Sequence, residues 1–283
     1  MNSQLRAITI EVGDLPPMPV VAVKVMKLLQ DPATDAELLA RTIGADAAVS
    51  ARILKIANSS FYSMSRQIRS LENAIVILGE KTLKSVVLAA SLKGVNKSYG
   101  LLEKMLWEDS IGCAIGARLL AMKTPGVDPE EAFLAGLFRH LGKVVMNNKH
   151  PQEYLEIVQA GYNSGARVSD LEREHFPYTH AQVGAAVLEK WNFAPSLVMA
   201  VLHHSDLDFD PGEDMTAYHL AAIVNISGAL CRMLGIGQRA PDESLKPEET
   251  PGAYALGMDR VRCDAIREEM REVFEANQEF FAS

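Results

Sequence analysis

The stretch GLFRHLGKVV, from Gly136 to Val145, joins an apolar run to an arginine-histidine pair. Upstream, the tetrad DPEE at 128–131 marks a helix start, with a side-chain acceptor at the N-cap, proline at the first helical position and glutamate at the third. The pattern predicts one helix that begins after Asp128 and carries Arg139 and His140 in its second half. Whether this pair belongs to a chemical site or to an ordinary helix decides what kind of protein the chain is.

Helical periodicity extends along the chain, and no segment shows a sustained alternation of apolar and polar residues. The sequence therefore predicts an all-α, multi-helix fold. Thr34 and Glu37 form a predicted capping box, and Gly44 is the predicted stop of that helix. The stretch 235–257 has three prolines and no apolar period, so we expect a surface loop there, followed by a last helix over 259–277.

Composition limits the functions that the chain can have. Its 283 residues suffice for one large domain or two subdomains, and 28 basic against 36 acidic residues give a net charge of -8. An acidic chain repels a phosphate backbone, so nucleic acid is a poor partner. The widely spaced Cys113, Cys231 and Cys263 fit neither a disulfide framework nor a zinc knuckle. Because no unbroken apolar run has the length of a membrane span and the N-terminus lacks a secretory pattern, the expected location is the cytoplasm, without membrane contact.

Several histidines and one aspartate are candidate metal ligands, each with an ordinary alternative. His203 and His204 form a doublet at a predicted helix end, where histidine also complements the helix dipole without any metal. His180 opens a helix behind Thr179, and the positive helix end would keep its ring neutral and able to bind a cation, although a surface capping histidine is equally compatible. Asp109 adjoins a stripe of small residues and is either a solvated edge residue or a ligand directed at a neighbouring helix.

A nucleic-acid motif is a further alternative. The segment 37–57 has the helix, glycine turn and second helix of a helix-turn-helix. Arg52 and Lys55 could face phosphate there, but the alanines at 48 and 51 and the valine at 49 offer little to base edges. The sequence contains no P-loop, GxSxG elbow or HExxH helix. Helix-turn-helix-like binding of nucleic acid therefore ranks behind the other interpretations.

A family resemblance is carried by six stretches of the chain. They are LPP at 15–17, ANSSFY at 57–62, AIVILG at 74–79, GLFRHLGK at 136–143, HAQVGAAVLEKWNFAP at 180–195 and VLHH at 201–204. Over about residues 14–234 the chain resembles the HDOD family, whose members are similar in fold to HD-type metal phosphohydrolases. The resemblance implies an N-terminal helical bundle packed on a degenerate HD-type helical domain, and a role in bacterial signalling.

The resemblance also implies an altered metal site. Catalytic relatives read Gly-Leu-Leu-His-Asp-Ile-Gly-Lys, which places Arg139 at the position of the histidine ligand and His140 at that of the aspartate. Asp109 falls where an upstream helix would supply a histidine, and Asn225 is the nearest candidate for the last aspartate. Arginine stays protonated near neutral pH and offers no lone pair. We therefore expect no two-metal site and none of its phosphodiester chemistry.

The sequence is compatible with three alternative states of this site. The Arg139 guanidinium can pair with Asp109 and replace the missing metal charge. A single zinc, iron, nickel or manganese ion can be held by remnant nitrogen and oxygen ligands. That remnant set consists of Asp109, His140, His180, His203 and His204. Alternatively, Arg139 and Lys143, four residues apart on one predicted helix face, can form an anion pocket.

We therefore expect a non-catalytic signal-transduction module that works through contacts with signalling proteins of unknown identity. No catalytic residue is assigned, and the cofactor is none or one divalent transition metal. The expected divisions are an N-terminal helical subdomain over 1–100, which is the preferred docking region, a degenerate HD-like subdomain over 101–234, and a loop with the last helix over 235–283. The alternative function is a metal-dependent phosphohydrolase or phosphodiesterase with a rearranged one-metal site.

Overall fold

The computed structural model describes residues 3–62, 67–95, 100–212 and 214–282 of the chain. Their regular structure is entirely helical, without a strand, and the all-α prediction is confirmed. The chain divides into two compact units, one formed by residues 1–16 and 97–270 and the other by 17–96 and 271–283.

The unit formed by residues 17–96 and 271–283 contains four helices of its own. They are α2 (Val20–Leu28), α3 (Ala36–Gly44), α4 (Ala47–Ala57) and α5 (Leu71–Leu92). Helix α5 packs against the other three, and its buried face includes Leu83, Val86 and Val87. Gly79 interrupts α5 with a φ of 73°, a conformation that glycine adopts without strain. Arg52, which the helix-turn-helix alternative directed at phosphate, instead donates a hydrogen bond of 2.6 Å to the carbonyl oxygen of Ala90.

The other unit is larger and holds the remaining helices. In chain order they are α1 (Ser3–Val12), α6 (Leu101–Met122), α7 (Pro129–Phe138), α8 (Leu141–Lys149), α9 (Pro151–Ser164), α10 (Val168–His175), α11 (His180–Lys190), α12 (Pro195–His203), α13 (Thr216–Leu234), α14 (Pro251–Leu256) and α15 (Arg260–Ala282), of which α15 also contributes residues to the smaller unit.

Helices α6, α7 and α13 form the centre of this unit. Helix α6 packs against both α7 and α13 and is buried over most of its length. Small residues permit the close approach, since a Cβ atom added at Gly136 of α7 would lie 2.6 Å from the carbonyl oxygen of Cys113 on α6. Burial of this apolar interior supplies the main stabilising free energy of the unit.

Two predicted helix boundaries are confirmed and one is corrected. Asp128 caps α7, accepting hydrogen bonds from the backbone of Glu130 and Glu131, and Pro129 is its first residue. Helix α3 ends at Gly44, as predicted. The capping box at Thr34 is wrong, because Asp35 is the N-cap and its carboxylate accepts from the backbone N–H of Leu38 at 2.8 Å. Asp35 competes successfully because a carboxylate binds the positive helix start more strongly than a hydroxyl.

Two predictions about helix continuity are wrong. The helix after Asp128 ends at Phe138, so Arg139 is its C-cap and His140 lies between α7 and α8 with a φ of -104° and a ψ of 9°. The stretch 235–257 is also more structured than a loop, because it contains a 3-10 turn over Pro247–Glu249 and helix α14. Prolines stand at the first position of both elements, where they favour a helix start.

Helix α13 is the one described helix that is long and apolar enough, by length and composition, to cross a membrane. Most of its apolar window is buried inside the fold, as in the core helix of a globular unit. Its apolar sequence is not an unbroken run, because polar residues such as Asn225 and Ser227 interrupt it.

Candidate functional site

A cavity of about 420 Å³ opens in the larger unit beside the junction of α7 and α8. Its polar floor is formed by residues that the sequence predicts as site residues. They lie on α6, at the junction, in the first turn of α8, at the start of α11 and just after the end of α12. These are Asp109, Arg139, His140, Lys143, His180 and His204. Helix α13 contributes Asn225, Gly228 and Arg232 to the wall.

The strongest contact in the cavity joins Arg139 to Asp109. The Nη2 atom of Arg139 donates to both carboxylate oxygens of Asp109, at 3.0 and 2.9 Å, and both side chains are buried. Burial, the largest single effect, acts to lower the pKa of Arg139, but the Asp109 carboxylate together with the Cys113 and Cys231 side chains raises that pKa above its ordinary value. The interpretation of Asp109 as a solvated edge residue is therefore wrong, and its two oxygens are occupied by the guanidinium.

Gly228 makes room for this arginine. A Cβ atom added at Gly228 would collide with Nη1 of Arg139, so a larger residue at this point of α13 would displace the guanidinium. The ion pair therefore depends on a small residue of a third helix as well as on its two partners.

His140 is packed beside the same carboxylate without forming a hydrogen bond to it. Its Nδ1 atom lies 3.2 Å from Oδ2 of Asp109, yet it is a buried nitrogen without a hydrogen-bond partner among the described residues. Burial, followed by the positive charges of Lys143 and Arg139, lowers its pKa well below the ordinary value. The ring is therefore neutral at physiological pH.

A buried carboxylate that sequence reasoning missed orients His180. Glu172 of α10 is fully buried and lies 2.7 Å from Nδ1 of His180. It also accepts hydrogen bonds from the backbone N–H of His180 at 2.8 Å and from the hydroxyl of Tyr154 at 2.6 Å. Burial acts to raise the pKa of Glu172, but His180, Lys143 and these hydrogen bonds lower it to about 2. The charged carboxylate thus fixes the ring of His180 with Nδ1 as the donor.

Close backbone packing brings His180 to the cavity. A Cβ atom added at Gly142, at the start of α8, would collide with the carbonyl oxygen of His180. The start of α11 is capped, because Thr179 and Gln182 form a capping box. Burial lowers the pKa of His180, with Glu172 opposing this effect and Lys143 reinforcing it, so the ring is neutral.

His204 completes the row of imidazoles. Its ring centroid lies 5.6 Å from that of His180, which in turn lies 5.9 Å from that of His140. Nδ1 of His204 contacts the carbonyl oxygen of Val201 at 2.7 Å, and burial lowers the pKa of the ring well below its ordinary value. Asn225, the nearest candidate for the missing aspartate, donates to the carbonyl oxygens of His204 and Ser205, so its amide holds this turn in place.

His203 does not line this cavity. Its ring stacks on Phe209 with centroids 4.5 Å apart, and its Nδ1 lies 4.0 Å from Oδ1 of Asp206. The adjacent residues 203 and 204 diverge because successive side chains on a helix point about 100° apart. The structure therefore brings together four members of the predicted ligand set, Asp109, His140, His180 and His204, and separates His203 from them.

Two cations of the cavity have no partner among the described residues. The side chains of Lys143, half-buried on α8, and Arg232, exposed on α13, make no hydrogen bond or ion pair in that part of the chain. Burial lowers the pKa of Lys143 to about 8, although Glu172 and Asp109 act to raise it. Arg139 and Lys143 both line the cavity, as the predicted anion pocket requires. The Arg139 guanidinium, however, is hydrogen-bonded to Asp109.

The residues present do not fit a metal ion. Within the described ranges, no group of three or more histidine, cysteine, aspartate and glutamate side chains is arranged to hold one. Asp109 is bonded to arginine, and the guanidinium places a fixed positive charge among the three imidazoles. A cation entering the cavity would therefore meet repulsion from the guanidinium, while the Asp109 carboxylate is already bonded to that guanidinium.

Little in the sequence indicated that Glu172 and Tyr154 would be buried beside His180. Glu172 lies in the charged run LEREH, where it resembles the exposed Glu174 two residues later. Its burial depends on the packing of α10 against α9 and α11, which periodicity does not describe. The one indication in the sequence is that Glu172 stands eight positions before His180, and many solvent-exposed polar residues have a similar spacing from a histidine.

The helical fold and the row of imidazoles beside Arg139 agree with the class that the resemblance implied, an HD-like helical protein. The family model of the HDOD domain matches residues 15–207. The chain belongs to the HDOD family.

Solved structures share the fold. An HDOD domain protein of unknown function from Geobacter sulfurreducens superposes with a TM-score of 0.79 at 23% identity, covering 98% of this chain and 97% of that one. A protein from Shewanella amazonensis SB2B, described as a "Putative phosphohydrolase", gives a TM-score of 0.72 at 22% identity, with coverage of 99% and 97%. At this identity the likeness establishes the common architecture.

A sequence relative is known from Treponema pallidum (strain Nichols), where it is an uncharacterized protein. It is 22% identical over 219 residues, which are 76% of this chain. The matched region spans 42% of the relative's length.

Proposed function

We propose that this chain is a non-catalytic HDOD signal-transduction module that acts in the cytoplasm through contacts with other signalling proteins. The observation that carries the proposal is the bidentate ion pair between Arg139 and Asp109. The resemblance assigns Arg139 to the position of a metal-ligating histidine in HD-type phosphohydrolases, and the ion pair occupies the one carboxylate among the predicted ligands. Metal-assisted generation of hydroxide has no counterpart in such a site.

The alternative of a rearranged phosphohydrolase is supported by the neutral imidazoles of His140, His180 and His204, since neutral histidine is a metal ligand. It is disfavoured by the absence of a metal-binding group among the described residues. The two functions make opposite predictions about metal content and turnover.

The deciding experiment compares the wild-type chain with Arg139→His/His140→Asp, which restores the pair found in catalytic relatives. Each protein is purified without chelator, its metal content is measured by mass spectrometry, and hydrolysis of a cyclic dinucleotide is assayed with added manganese or iron. We expect less than about 0.1 metal per wild-type chain and no turnover, in line with the ligand requirements of hydrolytic metal sites. Stoichiometric metal together with turnover that His204→Ala abolishes would establish the phosphohydrolase instead.

We further propose that the N-terminal subdomain, residues 1–100, docks the partner, while residues 101–234 form the degenerate HD-like part and 235–283 complete it. Support comes from large aliphatic side chains that are exposed on α2 and α5, two helices that pack together. These are Val20, Val23, Val76 and Ile77. Exposed apolar side chains of this size are typical of protein-binding surfaces when they are contiguous.

Docking can be tested in the native host with a photoreactive amino acid at position 76 or at position 254. Tyr254 is the matched control, since it is a large exposed residue on α14. We expect a discrete crosslinked protein from position 76 and none from position 254. Equal crosslinking from both positions would refute the N-terminal subdomain as the docking region.

A further inference from the structure

We infer that the cavity beside Arg139 binds a small phosphorylated molecule that carries hydroxyl groups, of the sugar phosphate or nucleotide class. Lys143 and Arg232 hold the phosphate, and the buried imidazole of His180 accepts a hydrogen bond from a hydroxyl group. This inference goes beyond the proposed signalling role and does not depend on the lack of catalysis, because binding and hydrolysis are measured separately.

The charge balance of the lining leaves cations available. Six charged side chains line the cavity, and they are Asp109, Arg139, Lys143, Arg167, Arg232 and Asp242. Arg139 neutralises Asp109, and the exposed Arg167 pairs with Asp170 outside the lining. Asp242 accepts hydrogen bonds from the backbone and hydroxyl of Ser244 and offsets part of the charge at Arg232. Lys143 and Arg232 therefore remain as donors for an anion.

The depth of Lys143 favours a charged ligand over water. Its half-buried ammonium lies in surroundings that disfavour the charge, and it forms no ion pair within the residues that the structure describes. An anion entering the cavity would supply the missing counter-charge and make charge-assisted hydrogen bonds to it. Phosphate suits a lysine and an arginine that approach from two helices, because its oxygens accept from several directions.

The size and the apolar lining indicate an organic group attached to the phosphate. A cavity of about 420 Å³ is several times the volume of a free phosphate ion and falls within the usual range of small-molecule sites. Apolar side chains form part of its wall, namely Leu102, Met105, Leu106, Val158 and Val168. Such a wall gains free energy by covering a ring or carbon chain, and gains nothing from inorganic phosphate.

The imidazoles indicate hydroxyl groups on the ligand. Nδ1 of His180 is bonded to Glu172 and Nδ1 of His204 to a backbone carbonyl, so each ring carries its proton on Nδ1. Nε2 of His204 is an acceptor that already faces the hydroxyl of Ser205 at 3.4 Å, whereas Nε2 of His180 is an acceptor that an O–H group of the ligand satisfies and a bare phosphate oxygen does not. Nε of Arg139 and Nδ1 of His140 are buried without a hydrogen-bond partner in the described part of the chain, and they mark the polar end of the cavity.

The experiment is a calorimetric titration of the full chain with adenosine monophosphate, with adenosine and inorganic phosphate as separate arms. We expect the monophosphate to bind at least about tenfold more tightly than either fragment, a difference of about 1.4 kcal/mol. Lys143→Met and Arg232→Gln should each weaken its binding at least about tenfold. Lys149→Met, which removes an exposed lysine of the same helix, should leave the affinity unchanged.

The folding of every variant is checked by thermal melting. If Lys143→Met fails to fold, Arg232→Gln still tests the inference, because Arg232 is exposed and its substitution should not disturb the fold. Unchanged binding in Arg232→Gln, an equal loss in Lys149→Met, or no binding of the monophosphate at about 1 mM would overturn the inference. Equal affinity for adenosine or for free phosphate would overturn it as well. Release of adenosine from the monophosphate would contradict the proposed lack of catalysis while leaving the binding site in place.

Discussion

Arg139 donates two hydrogen bonds from one nitrogen to the two oxygens of Asp109, at 3.0 and 2.9 Å, between the end of α7 and the middle of α6. Both partners are buried, so the pair joins two core helices through charges that water does not screen. The interaction stabilises the chain only as a pair, because either charge alone would be left in the protein interior.

Removing one member of this pair should strongly destabilise the fold. Arg139→Met leaves the Asp109 carboxylate buried without its partner, and we expect a loss of about 3 to 5 kcal/mol in the free energy of unfolding. Urea unfolding followed by circular dichroism measures it. The double variant Asp109→Asn/Arg139→Met should lose much less than the sum of the single variants. Arg167→Met, at an exposed ion pair with Asp170, serves as the control and should cost less than about 1 kcal/mol.

Gly228→Ala should destabilise the chain through Arg139. The added methyl group collides with Nη1 of the guanidinium, so the ion pair has to move or break. We expect a loss of about 1 to 3 kcal/mol, as for other cases of overpacking. The diagnostic measurement repeats the substitution in an Arg139→Ala background, where the loss should shrink to less than about 1 kcal/mol. An equal loss in both backgrounds would show that Gly228 matters for another reason.

The buried carboxylate of Glu172 should make stability depend on pH. Its pKa is about 2 in the folded chain, against 4.5 for an ordinary glutamate, so the unfolded chain takes up a proton at a higher pH than the folded one. The resulting stabilisation is present above about pH 4.5 and is lost as the pH falls towards 2. From the difference in pKa, its full size is about 3 kcal/mol.

Glu172→Gln tests this contribution. Urea unfolding between about pH 6 and pH 3 should show a shallower loss of stability in this variant than in the wild-type chain. Glu174→Gln removes an exposed carboxylate from the same helix and should follow the wild-type curve. Parallel curves for wild type and Glu172→Gln would show that the Glu172 carboxylate does not titrate in this way.

The three cysteines should be unreactive in the folded chain. Burial raises the pKa of the Cys113 thiol to about 12 and that of Cys263 to about 11, and it raises the pKa of Cys231 well above its ordinary value. At about pH 8 a thiol reagent should therefore modify none of them during the time in which it modifies all three in urea. Rapid modification of one cysteine without denaturant would identify a local opening of the fold.

The sequence predicted most of the residues that line the site, but it did not predict the contacts that they make. Asp109, Arg139, His140, Lys143, His180 and His204 all line one cavity, as expected from their motif positions. His203 shares the sequence signal of His204 and lies against Phe209 instead, because adjacent side chains of a helix face different surroundings. Glu172 was not predicted because burial depends on tertiary contacts, and the three charged or polar residues that follow it are exposed.

The sequence by itself determined the helical architecture, most helix starts, the family and the inability of the Arg139 side chain to ligate a metal ion. These follow from local properties: periodic apolar side chains, capping residues, prolines and the chemistry of arginine. Tertiary structure alone decided that α7 ends before Arg139, that this arginine bonds to Asp109, and that Lys143 keeps no partner among the described residues. The reason is physical, since a buried charge takes the partner that packing from other helices brings within hydrogen-bond distance, and sequence spacing does not specify that distance.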